Sequence, residues 1–317
     1  MLKATQFRLL LLVLPLFTLA SPASGQQVPD TAFRPPIARP AYQPGRGPVV
    51  AIDEAHHNFH TATGRYLAFA RLVERDGYVV KRGQSRFLRP WLDSVNILVI
   101  SNALSDSTAE WHLPTRPAFT AAEVAAVQDW VADGGALLLI ADHMPMAGAA
   151  DSMAQAFGVH FIDGFAFDQK TGGIFNHVRA PSDSARGSLA DHPITNGRSP
   201  SERIDSLRIF TGQGFRVTTP SAAPLLTITG PSMLMLVPDT AWEFNEGTPR
   251  FRARGLLQGA GLRHGRGRVA VFGEAAMFSA QLAGQERRPM GMNDPLAPQN
   301  PQFVLNVMHW LSGILEP

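Results

Sequence analysis

Short apolar runs alternate with amphipathic segments along most of the chain. Residues 48–52, 95–100, 136–141 and 268–273 are rich in Val, Ile, Leu, Ala and Phe. Runs of this length and composition predict strands that are buried on both faces. Each run is followed by polar or charged residues. The pattern therefore predicts several buried strands with polar loops at their carboxyl ends.

Helical spacing of apolar residues appears between these runs. Apolar residues recur at this spacing from Tyr66 to Val73, and a further helix is predicted at about 147–157. Thr120 and Glu123 have the spacing of a capping box at the start of the clearest helix. The last helix is expected to begin with Asn300 as its cap and Pro301 at its first position. Alternation of buried strands and helices predicts an α/β protein with a mostly parallel sheet and helices on both faces.

Three parts of the chain depart from this alternation. Residues 26–47 are rich in Pro, Gln and Arg without periodicity, and are interpreted as a flexible lead-in. Residues 48–317 are expected to form a single α/β domain. Within it, residues 163–265 show short apolar runs between turns, which indicates an irregular, partly β insertion. The third part, residues 1–25, is an N-terminal segment with an apolar centre.

Residues 1–25 have the layout of a secretory signal peptide. Lys3 and Arg8 precede an uncharged apolar stretch, and Ala23-Ser24-Gly25 supplies small residues for a cleavage site. The apolar stretch is shorter than the ~20 residues that a spanning helix needs. The sequence thus predicts cleavage near Gln26, no stable membrane anchor afterwards, and export to a bacterial periplasm or the extracellular medium.

Composition narrows the chemistry and the partners. The chain has no cysteine, so disulfides and thiolate catalysis are excluded. Removal of Lys3 and Arg8 with the signal peptide would lower the formal charge from +2 to 0. Because no cluster of Lys and Arg with interleaved aromatic residues is present, a nucleic-acid partner is not expected.

The candidate site residues all follow predicted strands. In open parallel sheets, ligands bind at the carboxyl ends of the strands, so these residues should converge there. The candidates for catalysis are Asp53, Glu54, His57, Asp142 and Glu274. The candidates for ligand binding are Asn58, Ser101, Asn102 and Ser279. The candidates for binding a divalent metal such as zinc are His56, His60, His143 and Asp142.

Competing interpretations apply to each group. Polar residues follow buried strands in any α/β protein because loops are solvated, so a purely structural role is the competing interpretation for each single residue. Imidazoles and carboxylates are good zinc ligands, but "HHNFH" is not a tight metal signature. No G-x-S-x-G turn indicates a serine nucleophile. Trp130 and Trp310 have helical spacing and are expected in the core, whereas Trp91, Trp111 and Trp242 are candidates for surface stacking.

The order of these segments resembles a known family. "VVAIDEAHHNFHT", "NILVISNAL", "FTAAEVAAVQDWVADGGALLLIADH" and "GRGRVAVFGEAAMFS" with "NPQFVLNVMHWL" resemble the DUF4350 group, which is similar to the class I glutamine amidotransferase-like fold. The resemblance covers about residues 47–160 and 265–315 and implies a flavodoxin-like sheet. Class I amidotransferases carry a nucleophilic Cys in the turn that here reads Asp142-His143, so glutamine hydrolysis by a thiolate is excluded.

Two functions follow as hypotheses. The first is an exported ligand-binding domain protein without amidotransferase activity, whose ligand is a small molecule, a carbohydrate or cell-envelope material; its support is the missing nucleophile and the occurrence of related domains beside bacterial glycosidases. The second is an exported metal-dependent hydrolase that uses the His, Asp and Glu residues at the strand ends. A structural or assembly role for the insertion is a third alternative. The sequence leaves oligomeric state and ligand identity open.

Overall fold

A computed structural model describes residues 27–179 and 186–316. The predicted signal peptide lies outside these described residues. The helices are α1 (Leu67–Arg75), α2 (Arg89–Leu92), α3 (Ala121–Ala132), α4 (Met146–Gln155), α5 (Pro193–Asn196) and α6 (Asn300–Leu311). The strands are β1 (Val28–Pro29), β2 (Val49–Asp53), β3 (Val79–Gly83), β4 (Ile97–Ser101), β5 (Ala136–Ile140), β6 (Val159–Phe161), β7 (Phe165–Asp168), β8 (Ile174–Val178), β9 (Gly187–Leu189), β10 (Ser206–Phe210), β11 (Phe215–Val217), β12 (Ala222–Ile228), β13 (Met233–Leu236), β14 (Arg250–Arg252), β15 (Leu257–His264), β16 (Gly267–Phe272), β17 (Ala280–Ala283) and β18 (Arg288–Gly291).

The four predicted strands are neighbours in one sheet. The order across this part of the sheet is β16-β5-β4-β2-β3, and every neighbouring pair in it is parallel. Leu98 of β4 lies between Ala51 of β2 and Leu137 of β5. The prediction of a parallel arrangement is confirmed for this part of the sheet, and it aligns the carboxyl ends of the strands.

Side chains of each strand alternate between two hydrophobic cores. In β5, Leu138 and Ile140 pack into the core formed with α1 and α6, whereas Leu137 and Leu139 pack into the core formed with α3 and α4. Successive side chains of a strand point to opposite faces, so a strand with a core on each side must be apolar at every position. Helices therefore cover both faces of the sheet, as predicted.

The helix ends show one confirmed prediction and one correction. The side chain of Thr120 accepts a hydrogen bond from the backbone N–H of Glu123, and the Glu123 carboxylate accepts one from the backbone N–H of Thr120. The predicted capping box is thus present. The prediction that Asn300 caps α6 is wrong, because Gln299 is the cap and Asn300 is already helical. The Asn300 side chain instead bonds both backbone groups of Arg208 in β10.

The insertion extends the same sheet instead of forming a separate body. From the β16 edge the order continues through β15, β12, β9, β8 and β10, with β15 antiparallel to β16. The sheet as a whole is therefore mixed, and its parallel part carries the predicted site. A second small sheet, β14-β13-β7, also comes from the insertion. It brings aromatic residues of the insertion to the carboxyl ends of the parallel strands.

Residues 27–47 are extended and lie against the domain. β1 pairs with β17, Arg71 and Arg75 of α1 donate hydrogen bonds to lead-in carbonyls, and the ring of Tyr42 packs edge-on against Tyr78. The backbone N–H of Ala41 donates to the carboxylate of Asp76 at 2.8 Å. These contacts hold the predicted lead-in on the surface of α1 and β17. Within residues 27–179 and 186–316, no helix combines the length and apolar character that crossing a bilayer requires.

Candidate functional site at the carboxyl ends of the parallel strands

The ends of the parallel strands are linked by polar contacts. The Asn58 amide, in the loop after β2, donates to the Ser101 carbonyl at the end of β4 at 3.3 Å. The Asn102 side chain accepts from the backbone N–H of Asp142 at 2.9 Å. The Asp142 carboxylate in turn accepts from the N–H of Ala275 after β16 at 3.4 Å. The residues that the sequence placed at these strand ends therefore form a chain of contacts across the edge.

His56 lies between two carboxylates. Its Nδ1 is 3.0 Å from Asp53 and its Nε2 is 2.9 Å from Oε1 of Glu123. The ring is buried and packs against Phe87 and Phe119, with centroid distances of 4.5 and 4.8 Å. An imidazole whose two nitrogens both face carboxylates is favoured in its protonated form, because both nitrogens can then donate.

The pKa values of His56 and Glu123 agree with a buried imidazolium. Burial acts to lower the pKa of His56, but hydrogen bonds and charges from Asp53 and Glu123 outweigh it, and the pKa is raised. For Glu123, burial acts to raise the pKa, whereas hydrogen bonds from His56 and Thr120 lower it to about 2. Glu123 thus joins the strand-end loop to the first turn of α3. Sequence reasoning identified it only as a capping residue.

The next two candidates do not face this triad. The Glu54 carboxylate accepts from Nε of Arg82 at 2.7 Å and from the backbone N–H of Ala62 at 2.9 Å, so it holds the loop in place. His57 is exposed, with a positive φ of 48°. Asn58 donates to Asp53 at 3.0 Å and braces the same loop. The polar residues of this loop therefore do not face one common site: Glu54 and Asn58 stabilise the loop, and His57 points to solvent.

His60 and Ser101 form a buried pair. Nδ1 of His60 is 3.2 Å from Oγ of Ser101, and the His60 ring stacks on Tyr66 at 4.5 Å. Burial lowers the pKa of His60 to about 3, with smaller effects from the charges of Arg65 and His143, so the ring is neutral. Because Ser101 is fully buried, a substrate cannot reach its hydroxyl without rearrangement.

Glu274 and Ser279 stabilise the turn after β16. The buried Glu274 carboxylate accepts from the backbone N–H groups of Ala276 and Met277 at 2.9 and 2.8 Å. Burial, followed by the charge of Asp142, raises the pKa of Glu274 well above its ordinary value. The Ser279 hydroxyl donates to the carbonyl of Ala276 at 2.9 Å. The polar side-chain atoms of Glu274 and Ser279 thus bond the local backbone after β16.

The predicted metal ligands do not assemble into a cation site in the part of the chain that the structure describes. Across residues 27–179 and 186–316, no three His, Asp or Glu side chains are arranged as a metal site. Both ring nitrogens of His56 face carboxylates, and Nδ1 of His143 is 2.6 Å from the carbonyl oxygen of Met144. The side chains of His56 and His143 are therefore engaged in hydrogen bonds with carboxylates and with the backbone.

His143 instead belongs to an aromatic cluster. Its ring stacks on Phe165 at 4.6 Å and meets Trp242 edge-on at 4.7 Å, and Trp111 lies 6.3 Å away. Phe244 contacts Phe165 at 5.2 Å. We call these five residues the aromatic cluster. Trp242 and Phe244 are 43% and 38% exposed.

Sequence reasoning found this cluster only in part. It named Trp111 and Trp242 as candidates for surface stacking and His143 as a candidate metal ligand, but it gave no role to Phe165 and Phe244. The third candidate, Trp91, packs against Phe87 instead, with ring centroids 6.0 Å apart. Trp130 and Trp310 are buried, as predicted.

A cleft of about 450 Å³ is lined by residues on either side of Trp111 in the chain, although none of the five residues of the aromatic cluster lines it. The 109–116 segment, which contains Trp111, forms one wall of it. This segment pairs with the chain before Trp242, because Leu113 donates to the Asp239 carbonyl and Ala241 donates to the Trp111 carbonyl. Polar residues in its lining include Asp106, Glu110, His112 and Arg116. The 109–116 segment therefore contributes Trp111 to the aromatic cluster and its other residues to the lining of the cleft.

Solved structures with a similar fold were found, although no protein-family model and no curated protein matches the chain. The mmIFT52 N-terminal domain aligns with a TM-score of 0.54 at 14% identity, over 83% of this chain and 97% of that one. A ThuA-like protein from Bacteroides uniformis aligns with a TM-score of 0.46 at 12% identity, over 84% and 92%. A GMP synthase-like protein from Thermoplasma acidophilum aligns with a TM-score of 0.43 at 10% identity, over 86% and 99%.

These similarities concern the fold alone. The chain is an α/β protein, and its fold is similar to that of the mmIFT52 N-terminal domain. The finer assignment to the DUF4350 group is not matched by a family model and stays a prediction. Because a fold hosts many functions, the function has to be argued from the site.

Proposed function

We propose that the protein is an exported ligand-binding protein without amidotransferase activity, and that its ligand is a carbohydrate of the cell envelope or its surroundings. The observation that carries this proposal is the exposed aromatic cluster beside a polar cleft. The missing cysteine removes the thiolate that glutamine hydrolysis by this fold would need. A binding role does not require the buried polar groups to contact the ligand, whereas a catalytic role requires them to reach the substrate.

The aromatic cluster has the character of a stacking surface. Trp242 and Phe244 expose large apolar faces, and the rings behind them are held by ring contacts at 4.6 to 5.2 Å. A pyranose ring has an apolar face of C–H groups that can pack on such a ring, while its hydroxyl groups need polar partners. Aromatic side chains supply large contact area with few rotatable bonds, which keeps the entropy cost of binding low.

The neighbouring cleft supplies polar partners. Asp106, Glu110 and Arg116 offer hydrogen-bond acceptors and donors within a volume of about 450 Å³. Volumes of roughly 300–1,000 Å³ are usual for small-molecule sites. A mono- or disaccharide therefore fits the combination of an apolar platform and a polar cleft.

The polar strand-end residues favour binding over hydrolysis. A catalytic acid or base must come within hydrogen-bond reach of the substrate. Ser101 and Glu274 are fully buried, and His56 is enclosed between two carboxylates. The metal-dependent hydrolase hypothesis gains no support from this arrangement.

Tryptophan fluorescence titrations with a panel of neutral and acidic oligosaccharides test the proposal. We expect at least one sugar to change the emission and the Trp242→Ala variant to bind it at least tenfold more weakly, since losing a hot-spot aromatic residue costs about 2 kcal/mol or more. Leu296, which is 65% exposed, gives a matched control in Leu296→Ala. Binding that is equal in both variants, or hydrolysis of the sugar by the parent protein, would contradict the proposal.

A further inference from the structure

A second cleft lies between the lead-in and α1, apart from the aromatic cluster. Its volume is about 480 Å³. One wall is residues 31–35 of the lead-in, and the other is the face of α1 that carries Ala68, Arg71, Leu72 and Arg75. The cleft therefore has an apolar floor and a charged rim, and it is formed only because the lead-in packs on α1.

Three arginines line this cleft, and their charges are not neutralised by ion pairs. Within residues 27–179 and 186–316, Arg34, Arg71 and Arg75 form no salt bridge, whereas Arg89 on the far side of the sheet pairs with Asp93 at 2.6 Å. Glu74 is the one acidic residue in the lining. The charged lining of the cleft thus has an excess of positive charge.

Most donors of these guanidinium groups are free to bind a ligand. Arg71 and Arg75 each donate one bond of 2.8 Å, to the carbonyls of Thr31 and Pro35. The side chain of Arg34 makes no hydrogen bond to the described residues, and each guanidinium carries five N–H groups. Arg34 and Arg75 line the cleft from its two walls, and burial and the nearby charge of Arg34 lower the pKa of Arg75.

We propose that this cleft binds a phosphorylated ligand with at least two negative charges. Guanidinium groups bind phosphate oxygens through paired N–H donors, and three arginines line this cleft from two walls. Arg71 and Arg75 are one helical turn apart, so they can engage neighbouring phosphate groups. The apolar floor at Ala68 and Leu72 accommodates an organic part of the ligand. This site is independent of the sugar-binding function proposed above.

Arg34→Gln is the sharpest test, because it removes one charge without breaking a hydrogen bond of the lead-in. Isothermal titration with sodium pyrophosphate at a fixed ionic strength of about 0.1 M would measure the affinity. Loss of a charge-assisted contact should weaken binding about tenfold. Arg254 is exposed and forms no ion pair with the described residues, so Arg254→Gln controls for net charge. Thermal unfolding of each variant confirms that the fold is intact.

A second arm distinguishes the source of the phosphate. Co-sedimentation with vesicles of cardiolipin in phosphatidylcholine tests a lipid that carries two phosphate groups. The proposal is supported if binding weakens in Arg34→Gln and not in Arg254→Gln. If pyrophosphate binds in this way, the ligand is a free phosphate compound. If only the vesicles bind in this way, the phosphate is carried by a lipid. No binding to either probe, or equal weakening in both variants, overturns it.

Discussion

Nε2 of His56 lies 2.9 Å from Oε1 of Glu123, although 67 positions separate the two residues in the chain. The contact joins the loop after β2 to the first turn of α3, and Asp53 holds the other ring nitrogen. Removing the imidazole would leave two buried carboxylates facing each other. The opening histidine of the "HHNFH" stretch therefore stabilises the strand ends.

His56→Ala should lower the free energy of unfolding by about 3–5 kcal/mol, the usual loss when one partner of a buried ion pair is removed. The neighbouring His57 is exposed and makes no such contact, so His57→Ala should change stability by no more than about 0.5 kcal/mol. Urea denaturation of both variants measures the difference. Similar values for the two would show that the imidazole at position 56 is dispensable.

The same triad predicts a dependence of stability on pH. The pKa of His56 is raised above 6.5, so its stabilising contribution is complete below that pH and is lost as the pH rises through the folded-state pKa. The pKa of Glu123 is lowered from 4.5 to about 2, so its contribution is present above pH 4.5 and is lost as the pH falls towards 2.

Unfolding midpoints of the parent and of Glu123→Gln, compared from pH 2 upwards, isolate these effects from other titrating groups. The stability difference should be largest between pH 4.5 and 6.5 and should shrink on the acid side. A difference that stays constant from pH 6.5 down to about pH 2 would show that Glu123 is not ionised against His56.

Zinc should have no effect on the stability of the protein. In the part of the chain that the structure describes, no three His, Asp or Glu side chains are arranged as a metal site, and both ring nitrogens of His56 face carboxylates. Because a ligand that binds only the folded state raises its stability, thermal unfolding with zinc and with a chelator is the measurement. One zinc per chain by elemental analysis, lost in His143→Ala, would restore the metal hypothesis.

Export should be accompanied by cleavage near Gln26. The uncharged stretch from Leu9 to Leu19 and the small residues before Gln26 are the basis of this prediction. Expression of the full chain in a bacterium, followed by intact-mass measurement of the periplasmic and medium fractions, gives the mature N-terminus. A chain that keeps residues 1–25 or stays in the cytoplasm would refute it.

The sequence by itself determined the parallel part of the sheet. The runs at β2, β4, β5 and β16 are apolar at nearly every position, because each strand packs a hydrophobic core on both faces. Thr120 and Glu123 signal the start of α3 because the capping box is a contact within four residues. Such features depend on local spacing and can be predicted from one chain.

Tertiary structure decided the roles of the polar residues and the place of the insertion. Asp53, His56 and Glu123 carry the residue types of a metal or catalytic site, but their mutual distances make them a buried ion-paired network. Trp242 reaches His143 because β13 pairs with β7 and positions the loop that follows β13 over the strand ends. Side-chain role depends on which atoms meet and on whether water is excluded, and contacts between distant segments set both.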